Sequence, residues 1–199
     1  MSQILLLQSS LNGPASRTNQ LMKHFLQTRR EQGHQDQVVV RDLTALDLPA
    51  LDSPLFHALR GAEPANEAIR QAVALSDRLI AELKAADLLL IGAPMYNLNV
   101  PTPLKNWFDL VARARVTFRY TDTYPMGLVE GVNALVFSSR GGVHQGQTTD
   151  AVTPYLQSVL GLMGIAQVEF VYAEGMDLHP NGAEQGMREA HARIAGLGR

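Results

Sequence analysis

The 199-residue chain is predicted to be a single α/β domain spanning residues 1–199, a doubly wound five-stranded parallel sheet with helices on both faces. Three observations predict it. Short, continuous apolar runs alternate with stretches of helical periodicity along the whole length. Such runs, such as Ile4–Leu7 and Leu88–Ile91, are the pattern of strands buried on both faces, which parallel sheets require. Polar loops follow the first, third and fourth runs, where a doubly wound sheet places its ligands.

The elements follow in order. Gln3–Leu7 reads as the first strand, ending at Gln8-Ser9-Ser10. A loop with Gly13 and Pro14 leads into a helix from Arg17 to about Gln32, with Leu21, Met22, Phe25 and Leu26 on one face and Gly33 as its stop. Gln37–Val40 is the second strand, and Leu43–His57 a connection rich in Pro and Asp. Asn66–Lys84 is a helix whose stripe is Ile69, Val73, Leu79, Ile80 and Leu83. Asp87–Ile91 is the third strand and Gly92–Val100 its loop.

Thr102 is expected to cap the next helix, with Pro103 in its first position. There Leu104, Trp107, Phe108 and Val111 recur at helical spacing. Val116–Tyr120 is a short β-like excursion. Val132–Phe137 is the fourth strand, Asp150–Leu162 a helix, Gln167–Tyr172 the fifth strand, and Ala183–Ile194 the last helix. Strands separated by helices imply parallel pairing with right-handed crossovers.

Composition excludes several classes. Hydrophobic residues are 46% and charged residues 18%, so the chain has enough apolar material for a core and is not a disordered one. A net charge of −2 leaves no basic excess for non-specific nucleic-acid binding. The apolar runs are too short to span a bilayer, and no basic segment precedes the first of them, so neither membrane insertion nor a signal peptide is expected. There is no cysteine, which removes thiolate nucleophiles, thiolate metal sites and disulfides, and which suits the cytoplasm. The six histidines show no metal-ligand spacing on one helix face, and no metal is expected.

Three loops carry the candidate chemistry. The first contains Ser10, Ser16, Arg17 and Thr18 and opens into a helix. Unpaired N–H groups and hydroxyls at a helix N-terminus can hold a phosphate. Plain N-capping by Ser16 accounts for one hydroxyl of the cluster. The second loop contains Pro94, Met95, Tyr96, Asn97 and Leu98, a mixture of apolar, aromatic and amide groups that suits a planar heteroaromatic ring. A strand-to-helix turn is its bland alternative. The third, Ser139-Arg140-Gly141-Gly142, ends near His144; paired glycines allow close approach of the backbone to a flat ligand, with N–H donors or charge for its polar edge.

Absent motifs narrow the choice. No GxGxxG follows the first strand, and no GxxxxGK[ST] or GxSxG occurs. The dinucleotide fingerprint, the P-loop and the serine-hydrolase elbow are therefore missing, and a mononucleotide phosphate fits the first loop better.

Ala93–Asn97 (APMYN), Leu104–Tyr120 (LKNWFDLVARARVTFRY), Ser139–Gly142 (SRGG) and Thr153–Leu156 (TPYL) together resemble the FMN-dependent NADH:azoreductase/quinone reductase family, of flavodoxin-like fold. The resemblance covers nearly the whole chain. It implies bound FMN, NADH or NADPH as donor, and two-electron ping-pong reduction of quinones and azo compounds, with the chemistry carried by the cofactor. It implies a homodimer in which Phe118 and Tyr120, read as exposed, complete a neighbour's pocket; an intrachain hairpin is the alternative for that segment. Thr18 stands where the family has serine, Leu98 where it often has phenylalanine, and Leu162 near the pocket replaces an aromatic. His144 is the candidate proton donor. Tyr120 and Asn97 are expected to shape the substrate pocket, and Arg60 is a candidate for a 2′-phosphate. A flavodoxin-type electron carrier, or a phosphodiesterase on the same fold, are the competing readings.

Overall fold

A computed structural model describes residues 1–178 and 182–197; His179 lies outside them. Seven strands form among the described residues, β1 (Gln3–Gln8), β2 (Gln37–Asp42), β3 (Leu88–Gly92), β4 (Phe118–Arg119), β5 (Met126–Gly127), β6 (Asn133–Ser139) and β7 (Val168–Ala173). The helices are α1 (Arg17–Glu31), α2 (Ser53–Ala58), α3 (Glu67–Lys84), α4 (Thr102–Val111), α5 (Val152–Met163) and α6 (Gly182–Leu197), with a 3-10 turn at Gly13–Ala15.

The main sheet has the order β2-β1-β3-β6-β7 and every pairing in it is parallel. The chain runs outward from β1 to β2, then crosses back to β3 on the other side of β1. The switch in strand order lies between β1 and β3, where a doubly wound sheet opens its ligand crevice.

Alternate residues of each strand feed two cores, because successive side chains point to opposite faces. Ile4, Leu6, Leu90, Leu135 and Phe137 pack against Leu21, Met22 and Phe25 of α1 and Ala190 and Ile194 of α6. Leu5, Leu7, Leu89, Ile91, Ala134 and Val136 pack against α3, α4 and α5. The predicted stripe of α4 is buried throughout: Leu104, Trp107, Phe108 and Val111 all face this second core.

Four expectations change. The Leu43–His57 connection contains a helix, α2, capped by Asp52, whose side chain accepts from Leu55 N–H. Helix α4 begins at Thr102 itself, after Pro101, and no side chain caps it. Pro103 therefore sits second, still within the turn where a missing N–H costs little. The Val116–Tyr120 excursion shrinks to β4, which pairs antiparallel with β5 as a small intrachain hairpin. Phe118 is buried at 5% exposure, whereas Tyr120 is 65% exposed. Tyr120 follows the end of β4, and its ring meets the Phe118 ring edge-on at 5.5 Å, so Phe118 is the inner and Tyr120 the solvent-facing member of the pair.

Candidate active site

The loops after β1, β3 and β6 come together at the carboxyl end of the sheet. Tyr96 joins the first two: its hydroxyl lies 3.2 Å from Ser10 Oγ and accepts from Leu11 N–H at 3.1 Å. The second and third are joined by backbone, since Met95 N–H donates to Ser139 O at 2.9 Å. The close approach of α1 to this end depends on Gly92, where a Cβ would stand 2.7 Å from Met22 Cε and 3.2 Å from Thr18 Oγ1.

At the first loop, Ser16 caps α1 by accepting from Asn19 N–H at 3.1 Å. Its hydroxyl also meets Thr18 Oγ1 at 3.1 Å, and both residues are fully buried. Their hydroxyls are thus partly committed to building the helix start. Among the described residues, the N–H groups of Arg17 and Thr18 have no protein acceptor, as the first turn of a helix requires. Those two donors and Ser10 are what the loop offers an anion. The Arg17 side chain is exposed and reaches Gln20.

At the second loop, Tyr96 and Asn99 exchange backbone hydrogen bonds of 2.9 and 3.0 Å around Asn97 and Leu98. Both central residues have positive φ, +49° and +64°. This is the mirror-image two-residue turn. Asn tolerates that conformation; for Leu it costs roughly 1–2 kcal/mol. Strain of this kind concentrates at functional sites. Leu98 is 45% exposed, so no burial of its own side chain explains the cost.

The third loop is shaped by the segment after β7. The carbonyls of Arg140, Gly141 and Gly142 accept from the N–H groups of Met176, Asp177 and Gly175 at 3.1, 3.0 and 2.9 Å. The N–H groups of Gly141 and Gly142 have no acceptor among the described residues. A Cβ on Gly141 would collide with the Asp177 carboxylate, and one on Gly142 would stand 2.8 Å from His144 Nε2. Glycine lets the Asp177 and His144 side chains lie close against the loop, and the result is a bare backbone face with two donors that have no acceptor among the described residues.

The Arg140 guanidinium does not join that face. It is buried at 1% exposure beneath the loop, 3.0 Å from Asp150 Oδ2 and 3.2 Å from Glu174 Oε1. It also donates to Thr153 Oγ1 and Ser138 Oγ and lies over the Tyr172 ring. The expected positive charge at the ligand's edge is thus replaced by uncharged amide donors. Burial pushes the Asp150 carboxyl up, but hydrogen bonds from Arg140 and Thr153 outweigh it and hold the group below its ordinary value. Burial pushes the Tyr172 phenol up. His144 Nδ1 is 2.8 Å from Thr149 Oγ1, leaving Nε2 beside Gly142.

Tyr120 and Leu162 lie elsewhere. Leu162 is at the carboxyl end of α5, where Met163 O accepts from Val129 N–H next to the β4–β5 hairpin. The first turn of α5 lies beside Arg140, which donates to Thr153, and the helix runs back along the sheet, so its far end is at the amino end of the strands, opposite the three loops. Arg60 stacks on Phe56 at 3.9 Å, also away from them. Asp150, Thr153, Tyr172, Glu174 and Asp177 were not foreseen as site residues. The clue to Glu174 and Asp177 was their position at the carboxyl end of the fifth strand, the one loop of that edge that the sequence pattern left unremarked.

A family model described as a flavodoxin-like fold matches residues 2–197. The FMN-dependent NADH:quinone oxidoreductase 4 of Burkholderia lata is 66% identical over 197 residues, 99% of this chain and 99% of that protein. The chain belongs to the FMN-dependent NADH:quinone oxidoreductase family. Another of these oxidoreductases, from Aeromonas salmonicida, is 51% identical over 99% of both chains. The azoreductase from Bacillus anthracis str. Sterne superposes with a TM-score of 0.86 at 28% identity, over 100% of this chain and 99% of that one. An FMN-dependent NADH-azoreductase from B. anthracis str. Ames Ancestor, solved in complex with FMN, shares the fold at a TM-score of 0.83 and 22% identity, over 99% and 100% of the two chains. The expected flavodoxin-like fold, a doubly wound five-stranded parallel sheet, is thereby borne out for this chain.

Proposed function

We propose that the chain is an FMN-dependent oxidoreductase that takes electrons from NADH or NADPH and reduces quinones and azo compounds two electrons at a time. One observation carries this reading: the free N–H pair of Gly141 and Gly142 faces the same end of the sheet as the anion-ready start of α1 and the strained Asn97-Leu98 turn. The residues fit the cofactor's polar edge, because the Gly141 and Gly142 N–H groups have no acceptor among the described residues and stand as ready donors.

In this reading Arg17 N, Thr18 N and Ser10 hold the phosphate, with Ser16 and Thr18 building the helix start. Pro94, Met95, Tyr96, Asn97 and Leu98 line the ring, and Ser139–Gly142 supply its polar edge. FMN, when bound, supplies hydride acceptance and two-electron donation. The chain supplies the rest. The glycine N–H pair stabilises negative charge at the ring's edge without reorganising, since its carbonyls are already tied down. His144, oriented by Thr149, delivers a proton toward the acceptor from Nε2.

Tyr120 and Leu162 act on substrate only if a second copy brings them to the three loops, so the reading includes a homodimer. Among the described residues no helix is long and apolar enough to cross a membrane. The absence of cysteine supports a cytoplasmic setting.

The test is a visible spectrum of the purified protein, then anaerobic bleaching by NADH and NADPH, then reoxidation by a quinone and an azo dye. Flavin absorbance, bleaching and reoxidation are expected. An accumulating one-electron state without NADH oxidation would instead make it a carrier, and colourless protein that cannot be loaded with FMN would revive a hydrolase. Equilibrium sedimentation tests the dimer.

A further inference from the structure

One oxygen pins both ends of the glycine loop. Glu174 Oε1 accepts from His144 N–H and Gln145 N–H, each at 2.8 Å, and from Arg140 Nη1 at 3.2 Å. Arg140 precedes the glycine pair, and His144 and Gln145 follow it. Between these anchors stand two glycines and Val143, whose side chain is exposed. Such a segment has the most backbone entropy to lose on ordering. Its carbonyls are held by the 175–177 amides, and its ends by Glu174, the residue immediately before them. The Arg140–Asp150–Glu174 cluster is almost wholly buried, and a buried charge cluster is weak evidence of stability. Its position under the loop suggests a use in fixing geometry.

Resting on the FMN reading above, we propose that Glu174 is a positioning residue for the cofactor: its carboxylate clamps Arg140, His144 and Gln145 and so presents the Gly141 and Gly142 N–H groups preorganised for the flavin's polar edge. Glu174 does not touch the ligand. It acts by removing an ordering cost that FMN would otherwise bear on binding.

The experiment measures FMN affinity of apoprotein by quenching of flavin fluorescence, together with amide exchange across residues 141–145. Variants are Glu174→Ala, Glu174→Asp and Glu174→Gln, each checked for folding by circular dichroism. Ala, and Asp with its carboxylate drawn back by one methylene, should weaken FMN binding by about tenfold or more, the range of a lost charged hydrogen bond. Both should speed exchange at His144 and Gln145, whose N–H groups donate to Glu174. Gln keeps an acceptor oxygen and should bind within about threefold of wild type, as a neutral acceptor still satisfies both amides. If Ala does not fold, Asp against Gln decides, because Asp preserves the charge balance. Unchanged affinity and exchange in folded Glu174→Asp would overturn the proposal, as would a Gln variant no better than Asp. Wild-type protein that binds no FMN would sink the cofactor reading itself.

Discussion

Tyr96 and Ser10 meet through their hydroxyls, 3.2 Å apart, across the opening between the loops after β1 and β3. The same phenol oxygen accepts from Leu11 N–H. A side chain from one wall of the crevice thereby holds the other wall in place. Tyr96→Phe keeps the ring and removes both bonds. Stability should fall by about 1 kcal/mol, since the freed groups are partly solvated. FMN affinity should fall by about fivefold, the equivalent of that energy. Thermal melts and a fluorescence titration read the two effects separately.

The bare backbone at Gly142 is expected to matter more to ligand than to fold. In Gly142→Ala the new methyl would press on His144 Nε2, but the imidazole can swing away at a cost of about 1 kcal/mol. Swinging breaks its bond to Thr149 and places a methyl on the ligand face. FMN retention through gel filtration and the rate of reoxidation by quinone should both drop well beyond what the melting temperature would suggest.

The Asn97-Leu98 turn offers a stability–function test. Leu98→Gly relieves a left-handed leucine and should stabilise the protein by about 1 kcal/mol. If Leu98 lines the ring, KM for quinones should rise in the same variant. Asn97→Ala should weaken flavin binding or lower turnover. FMN retention and steady-state rates equal to wild type would remove Asn97 from the site.

Acid should loosen the floor of the glycine loop. Asp150 has a folded pKa held below its ordinary 3.8, so the folded state binds the proton more weakly than the unfolded one. Its stabilising contribution is complete above that ordinary value and is lost as pH falls through the lower, folded value. Asp36, hydrogen-bonded to Arg29, behaves in the same sense. The melting temperature should therefore begin to fall near about pH 4, and Asp150→Asn should remove part of that fall, leaving the Asp36 part. A pH series of melts on both proteins checks this. An identical acid slope in Asp150→Asn would show that the Arg140 cluster does not report on its protonation.

Much of the site was legible in local pattern. The polar loops after three apolar runs mark the carboxyl ends of β1, β3 and β6, and Gly141-Gly142 stands out without any coordinates. What pattern did not reveal was direction. Arg140 reads as a ligand-facing cation beside two glycines, but its side chain turns under the loop because Asp150, Glu174 and Tyr172, distant in sequence, make a buried cage for it. Ser16 and Thr18 read as phosphate hydroxyls, yet they face inward to cap and pack the start of α1.

The doubly wound class was determined by the sequence alone, because apolar periodicity and loop chemistry are local properties that repeat along the chain. The burial of Leu104, Trp107, Phe108 and Val111 on one side of α4 follows from their spacing in the same way. The convergence of Tyr96 on Ser10, the clamp of Glu174 on residues 140–145, and the separation of Tyr120 and Leu162 from the three loops were decided only by tertiary structure. These depend on strand order and crossover, which bring residues 30 to 90 positions apart into contact, and no local period of 2.0 or 3.6 residues encodes such pairings.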